Sequence, residues 1–118
     1  MLDAAEKPLD LLMAEFRDLV SRARAGRLKG SELASPTITV TSLGDVGVET
    51  VLPVIHPPQV AMIGVGSVVQ RPWVVEGDVR ARPVLTLALA ADHRVSDGRI
   101  GAQFLDRVRQ KLDLPEAL

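Results

Sequence analysis

Val84-Leu85-Thr86-Leu87-Ala88-Leu89-Ala90-Ala91-Asp92-His93-Arg94-Val95-Ser96-Asp97-Gly98 runs from the most apolar segment of the chain into a polar cluster. Its first eight residues are apolar on both faces of an extended chain, which predicts a strand, Val84 to Ala91, covered from both sides. Beyond Gly98, Ile100, Phe104, Val108 and Leu112 recur every four residues beside Leu105, and Asp106, Arg107, Arg109 and Lys111 lie off that stripe. This period predicts an amphipathic helix, with Asp97 placed as its N-cap and Pro115 as its end. Strand, polar loop and helix in this order put one imidazole, His93, and the carboxylates of Asp92 and Asp97 at the end of a buried element.

Four chemistries fit such a cluster. A metal site would use Asp92, His93 and Asp97, but a single histidine in a loop is a poor ligand set. Ser96 as a nucleophile activated by His93 lacks the flanking glycines of a nucleophile elbow, and residues three apart in a loop need not touch. Two readings stay open on the residues alone. In one the cluster is structural, Asp97 capping the helix and His93 satisfying a buried hydrogen bond; in the other His93 is a general base near neutral pH.

Working outward, Val60 to Val69 is apolar with Gly64 and Gly66 inside it, a strand whose glycines permit close backbone approach. No third glycine, lysine or helix pattern follows, so a phosphate loop is excluded. Arg71 to Val75 and Asp78 to Arg82 flank Glu76-Gly77, a hairpin signal. The block Leu52-Pro53-Val54-Ile55-His56-Pro57-Pro58-Gln59 carries three prolines and reads as extended or turn-like. His56 has no companion group there and reads as structural or solvent-facing. Thr37-Ile38-Thr39-Val40-Thr41 alternates hydroxyl and β-branched apolar residues, a strand with one more polar face, broken by Gly44 and Gly47. Ser31 to Ser35 reads as a short turn.

At the start, Leu9, Leu12, Phe16, Leu19, Val20 and Ala23 share one face of a helix from about Pro8 to Ala25. Asp10 suits its positive end, Arg22 and Arg24 its negative end, and Gly26 a left-handed cap. The basic tail from Arg22 to Lys29 reads as a solvated helix end and loop. The predicted architecture is helix, several strands, helix, a two-layer α/β sandwich in one domain, 1–118.

Composition narrows the function classes. The 118 residues are 47% hydrophobic, enough to bury one core and too few for two comfortable domains. A net charge of −1 with mixed signs excludes a nucleic-acid footprint. The chain has no cysteine, which removes disulfides, thiolate metal sites and a cysteine nucleophile. The N-terminus lacks the pattern of a secretory signal and no apolar run approaches a membrane span, so a soluble, cytoplasmic protein with no membrane partner is expected.

Asp92-His93-Arg94-x-x-Asp97-Gly98 resembles the signature of the acyltransferase (E2) catalytic domain of 2-oxo acid dehydrogenase complexes, related to chloramphenicol acetyltransferase. Thr37 to Gly44, Pro53 to Gly66 and Arg82 to Leu87 resemble family blocks in the same order, and the likeness covers nearly the whole chain. It implies a chloramphenicol acetyltransferase-like fold, a mixed sheet flanked by helices, of which the chain matches the C-terminal half. The implied reaction moves an acyl group between dihydrolipoamide and coenzyme A, with the lipoyl group carried on another domain or chain and no metal. His93 maps to the base that deprotonates the attacking thiol. Ordinary thiol and imidazole pKa values differ by about 2, roughly 2.7 kcal/mol, a gap that modest tuning closes.

Thr41 maps to a hydroxyl that donates to the tetrahedral oxyanion, worth about 10² to 10³ in rate. Asp97 maps to a carboxylate that orients the loop. The absence of cysteine fits direct transfer between two bound thiols without an acyl-enzyme. The resemblance further implies a homotrimer with His93 and Thr41 drawn from different subunits, a larger core in which the apolar end Leu114 to Leu118 resembles an anchor, and contacts with lipoyl domains and dehydrogenase components. A chain supplying the N-terminal half is a further implied partner, because residues that bind coenzyme A would lie there. A non-catalytic core or assembly subunit is the alternative. His56 stands where the family commonly has asparagine.

Overall fold

A computed structural model describes residues 3–34 and 36–114. Two compact units divide the chain: the first carries the N-terminal helices, and Thr37–Asp113 forms the second. The expectations for Ser35, Pro115 and the apolar end from Pro115 to Leu118 fall outside the described residues.

In the first unit, α1 spans Leu9–Arg24, one residue inside the predicted start, because Pro8 serves as its extended N-cap. Gly26 closes it at φ 67, with Gly26 N–H donating to Ala23 O at 3.0 Å and Arg27 N–H to Arg22 O at 2.8 Å. That bond pair is a Schellman ending. The predicted turn at Ser31 is instead a five-residue helix, α2, Gly30–Ala34. Glu32 explains the correction: its Oε2 accepts the Lys29 N–H at 2.7 Å, half of a capping box, and also takes Arg22 Nη1 at 2.8 Å. A carboxylate three residues into a segment starts a helix there. Arg22 and the Lys29 N–H together hold the Glu32 carboxyl at about 2.

The second unit is organised by a three-stranded mixed sheet. Strands β1 (Ile38–Ser42), β2 (Ala61–Val65) and β5 (Leu87–Ala91) lie in the order β1-β2-β5, with β1 parallel to β2 and β5 antiparallel to it. Between β2 and β5 the chain makes a separate hairpin of β3 (Val69–Val75) and β4 (Asp78–Val84). Its turn is Glu76-Gly77, both at positive φ, as a tight two-residue reversal requires. The sequence therefore merged elements that the fold separates. Val69 belongs to β3 and not to β2, Val84 belongs to β4, and β5 begins only at Leu87.

Gly64 inside β2 and Gly66 just after it lie where only glycine fits, since a Cβ on Gly66 would collide with the Glu49 carbonyl oxygen and one on Gly64 would lie 2.8 Å from Val51 Cβ. The extended run after β1 thus crosses one face of β2 at backbone contact, as the glycines predicted. His56 lies exposed in a turn of that run, with the Pro57–Pro58 peptide cis and Gln59 N–H donating to His56 O at 2.9 Å.

The opposite face of the sheet carries α3, Gly98–Asp113, which lies against β5. Gly101 permits the approach, since a Cβ on it would stand 3.2 Å from Leu89 Cδ2. The expectation of one buried core is not met. Among the described apolar residues only Met62 is buried, at 7% exposure. The strand β5, expected to be covered on both faces, is half-buried at all five positions. On β1, Ile38 and Val40 are 46% and 62% exposed, while Thr39 and Thr41 on the other face are half-buried. The apolar faces are present, and the surface that would cover them is not in this unit.

Candidate active site

The loop between β5 and α3 holds the candidate residues. Asp92 leaves the sheet with its N–H on Val60 O at 2.8 Å, and its own carbonyl accepts the N–H groups of Val95 and Ser96 at 2.8 and 2.9 Å. Asp92 Oδ1 accepts the Arg94 N–H at 3.0 Å, and the two carboxylate oxygens receive Arg94 Nε and Nη2, the latter at 2.7 Å. The Arg94 guanidinium holds the Asp92 carboxyl down at about 2. Three residues on, Asp97 Oδ1 accepts the Ile100 N–H at 2.8 Å and Asp97 O the Gly101 N–H at 3.1 Å, so Asp97 caps α3 as its position predicts.

His93 stands exposed between these two anchors. It lines one side of a hollow of about 330 Å³ with Ser96, Asp97 and Gly98, and Leu89, Ala91 and Leu105 form its apolar floor. A second, apolar groove of about 190 Å³ opens on the other flank of α3, between Ile100 and Phe104 and the sheet residues Ile38, Ala61 and Ile63. An imidazole at the lip of an apolar hollow can meet a thiol and exchange its proton. Among the described residues no three His, Asp or Glu side chains gather as a metal-ligand set, and no helix is long and apolar enough to cross a membrane.

Thr41 is elsewhere. The register aligns Ile38 with Ala61 and Ala91 at one end of the sheet, and Thr41 with Gly64 and Ala88 three rungs away. Three residues of rise and two strand spacings put Ala91 roughly 14 Å from Thr41 between backbones, and His93 lies two residues past Ala91. The structure brings His93 and Asp97 together and leaves Thr41 at the far end of an edge strand.

Asp92 was read in the sequence as a neighbouring carboxylate and as one member of a weighed metal set, not as a turn former. Its place two residues before Arg94 was the available signal for an Asx turn. The sequence also gave no separate role to Gln59, whose Oε1 accepts the Thr39 hydroxyl at 2.5 Å on the same face as Thr41.

A mixed sheet whose antiparallel last strand delivers a histidine loop into the N-terminus of a covering helix defines an α/β protein of the chloramphenicol acetyltransferase-like class. The family model for the 2-oxoacid dehydrogenases acyltransferase (catalytic domain) matches residues 1–118, and the chain belongs to that family. It is 36% identical over 115 residues to the dihydrolipoyllysine-residue acetyltransferase component of the pyruvate dehydrogenase complex of Staphylococcus aureus, a match covering 98% of this chain and 27% of that protein.

A solved structure of the Azotobacter vinelandii dihydrolipoamide acetyltransferase superposes with a TM-score of 0.82 at 34% identity, over 94% of this chain and 46% of the other. That structure was determined to investigate a serine, a histidine and an asparagine in the enzyme's catalytic mechanism, spaced 52 and 4 residues apart along its chain. The cubic core of the pyruvate dehydrogenase multienzyme complex matches with a TM-score of 0.81 at 34% identity, over 94% and 46% of the two chains. This chain spans about a quarter of the length of the curated relatives and just under half of the solved cores.

Proposed function

We propose that this chain is the histidine-bearing half of a dihydrolipoamide acyltransferase, moving an acyl group between dihydrolipoamide and coenzyme A. The observation that carries the reading is an interval. Thr41, His93 and Asp97 are 52 and 4 residues apart, the spacing of the serine, histidine and asparagine of the Azotobacter enzyme. A threonine hydroxyl donates as a serine hydroxyl does. Asp97 keeps the acceptor oxygen that asparagine offers, and here that oxygen is engaged by the Ile100 N–H.

The step balances without a covalent enzyme intermediate. A ring nitrogen of His93 takes the proton of the coenzyme A thiol, and the thiolate attacks the thioester carbonyl of acyl-dihydrolipoamide. The new carbon–sulfur bond pushes the carbonyl electrons onto oxygen, where the Thr41 hydroxyl donates a hydrogen bond. Collapse expels the dihydrolipoamide thiolate, which recovers the proton from the imidazolium. Thr41 lies three rungs and two strands from Ala91, with His93 further on, which supports an oxyanion donor supplied by a second copy, in a homotrimer or larger core. Coenzyme A and the lipoyl arm are substrates brought to the hollow beside His93, and the dehydrogenase components and lipoyl domains of such a complex are the partners. A cytoplasmic location accompanies this reading.

The exposure of Ile38 and Val40 on the sheet favours one further reading, a non-catalytic core or assembly subunit. A thiol-release assay with coenzyme A and acyl-dihydrolipoamide separates the two. Catalysis predicts transfer near neutral pH that falls by about 10² to 10⁴ in His93→Ala. An intact chain without transfer, on which His93→Ala has no effect, sinks the acyltransferase and leaves the assembly subunit.

A further inference from the structure

The residue before the histidine does more than flank it. We propose that Asp92 is a positioning residue for His93, fixing the turn on which the imidazole stands; the inference rests on the acyl-transfer reading above. Three sets of bonds converge on it. Its N–H is tied to Val60 O at 2.8 Å, immediately before β2, so the turn starts from the sheet. Its carbonyl takes the Val95 and Ser96 N–H groups at 2.8 and 2.9 Å, which curls the following residues back on it. Its carboxylate takes the Arg94 N–H at 3.0 Å and, through both oxygens, the Arg94 guanidinium.

His93 is the one residue enclosed between the Asp92 side chain and the Arg94 N–H. Closing that ring leaves its backbone little freedom, and the Cα–Cβ direction of the imidazole follows from it. Arg94 itself is 89% exposed on its side chain and reaches no other described group by hydrogen bond, so its guanidinium serves as a clamp on the Asp92 carboxylate. The carboxyl at about 2 stays ionised, and the clamp closed, wherever the imidazole can act as a base. Asp97 takes a different part, its Oδ1 accepting the Ile100 N–H in the first turn of α3.

Asparagine at position 92 would keep the oxygen that accepts the Arg94 N–H and lose the two-oxygen grip on the guanidinium. Alanine would lose both. The full chain and its Asp92→Ala, Asp92→Asn and His93→Ala variants are compared in the thiol-release assay and by NMR of the His93 ring and the Arg94 amide. Misplacing a base by an ångström costs on the order of 10²-fold, so Asp92→Ala should lower kcat by about that factor with KM little changed, and Asp92→Asn should recover about tenfold of it. The Arg94 amide should exchange freely and the ring signals shift toward those of a mobile imidazole in Asp92→Ala, and both should stay near wild type in Asp92→Asn.

An Asp92→Ala chain with wild-type kcat and ring signals overturns the proposal, as does an Asp92→Asn chain no better than Asp92→Ala. If His93→Ala turns over as wild type does, the acyl-transfer reading falls by itself. The NMR comparison then decides Asp92 alone: unchanged ring and amide signals in Asp92→Ala overturn it, and altered ones sustain it.

Discussion

The loop around His93 and the strand that carries Thr41 are built in opposite ways. From Asp92 to Ile100 the bonds that turn the backbone, from the Arg94, Val95 and Ser96 N–H groups to Asp92 and from the Ile100 N–H to Asp97, close within four residues. The strand β1 is an edge with one ladder, to β2, and its apolar side chains Ile38 and Val40, on the face that carries α3, stay exposed beyond the helix's reach. A short-range device can be complete inside half of a domain, whereas an edge strand is finished only by what packs against it. Under the proposed function, the half-site that the chain would hold alone is the histidine half, and the oxyanion half would depend on assembly.

Mixing variants is the strongest way to break that comparison. His93→Ala and Thr41→Ala chains should each lose at least about 10²-fold in turnover. Unfolded together and refolded, they should regain activity that neither has alone, because some sites then pair an intact His93 with an intact Thr41 from another copy. A mixture as inactive as its components would mean that both groups act within one chain, against the separation set by the sheet register.

Thr41 alone sharpens the oxyanion side. Replacing it by valine keeps the shape and the β-branch of the strand residue while removing the donor. The expected loss is about 10² to 10³ in kcat with KM nearly unchanged, and Thr41→Ser should stay close to wild type. Equal losses in kcat and in substrate affinity would instead mark Thr41 as a binding group present in the ground state.

Legibility in the sequence followed the same division. The α3 stripe of Ile100, Phe104, Val108 and Leu112, the Asp97 cap, the Gly26 ending of α1 and the Glu76-Gly77 reversal were readable, since each is a local pattern with a local cause. The position of His93 was readable for the same reason, and the family likeness gave it a partner in Thr41. The boundaries inside the apolar runs were not. Val84 to Ala91 has no internal break in hydropathy, and only the need to leave the hairpin and enter the main sheet divides it between β4 and β5.

The α2 helix was missed although Glu32 caps the Lys29 N–H three residues back, because the segment is five residues long and Glu32 is also held by Arg22, ten residues away. The predicted core failed for a different reason. Counting apolar residues shows that faces exist, but Ile38 and Val40 remain exposed because a count does not say what packs against a face.

Asp97 should matter for folding in a way that Thr41 does not. Removing the side chain that accepts the Ile100 N–H costs about 0.5 to 2 kcal/mol, so Asp97→Ala should lower the denaturation midpoint by that equivalent, and Asp97→Asn, which keeps the acceptor, should restore it. The same pair of variants tests whether the carboxylate has a second task. Asp97→Asn with wild-type stability and wild-type kcat would confine residue 97 to capping, in keeping with the asparagine at that interval in the Azotobacter enzyme. A kcat lost in Asp97→Asn with stability intact would show that the negative charge beside His93 is itself used.

The smallest expected effect is the acid response of the loop. The Arg94 guanidinium lowers Asp92 from an ordinary 3.8 to about 2 in the folded chain. A depressed carboxyl releases its proton more readily when folded, so its contribution is fully present above the unfolded value and is lost as pH falls through the folded one. Stability should therefore be insensitive to this group above about pH 5 and should decline between about pH 4 and 2. Asp92→Asn, which carries no titrating proton, should flatten that part of the melting-temperature profile while leaving the neutral-pH plateau nearly unmoved, since an exposed ion pair is screened by water and salt. Glu32, held at about 2 chiefly by Arg22, titrates over the same window in the N-terminal unit. The difference between the Asp92→Asn and Glu32→Gln profiles then measures how far each unit unfolds independently: identical flattening means one cooperative transition, and flattening confined to one of two transitions means that the loop and the N-terminal helices melt apart.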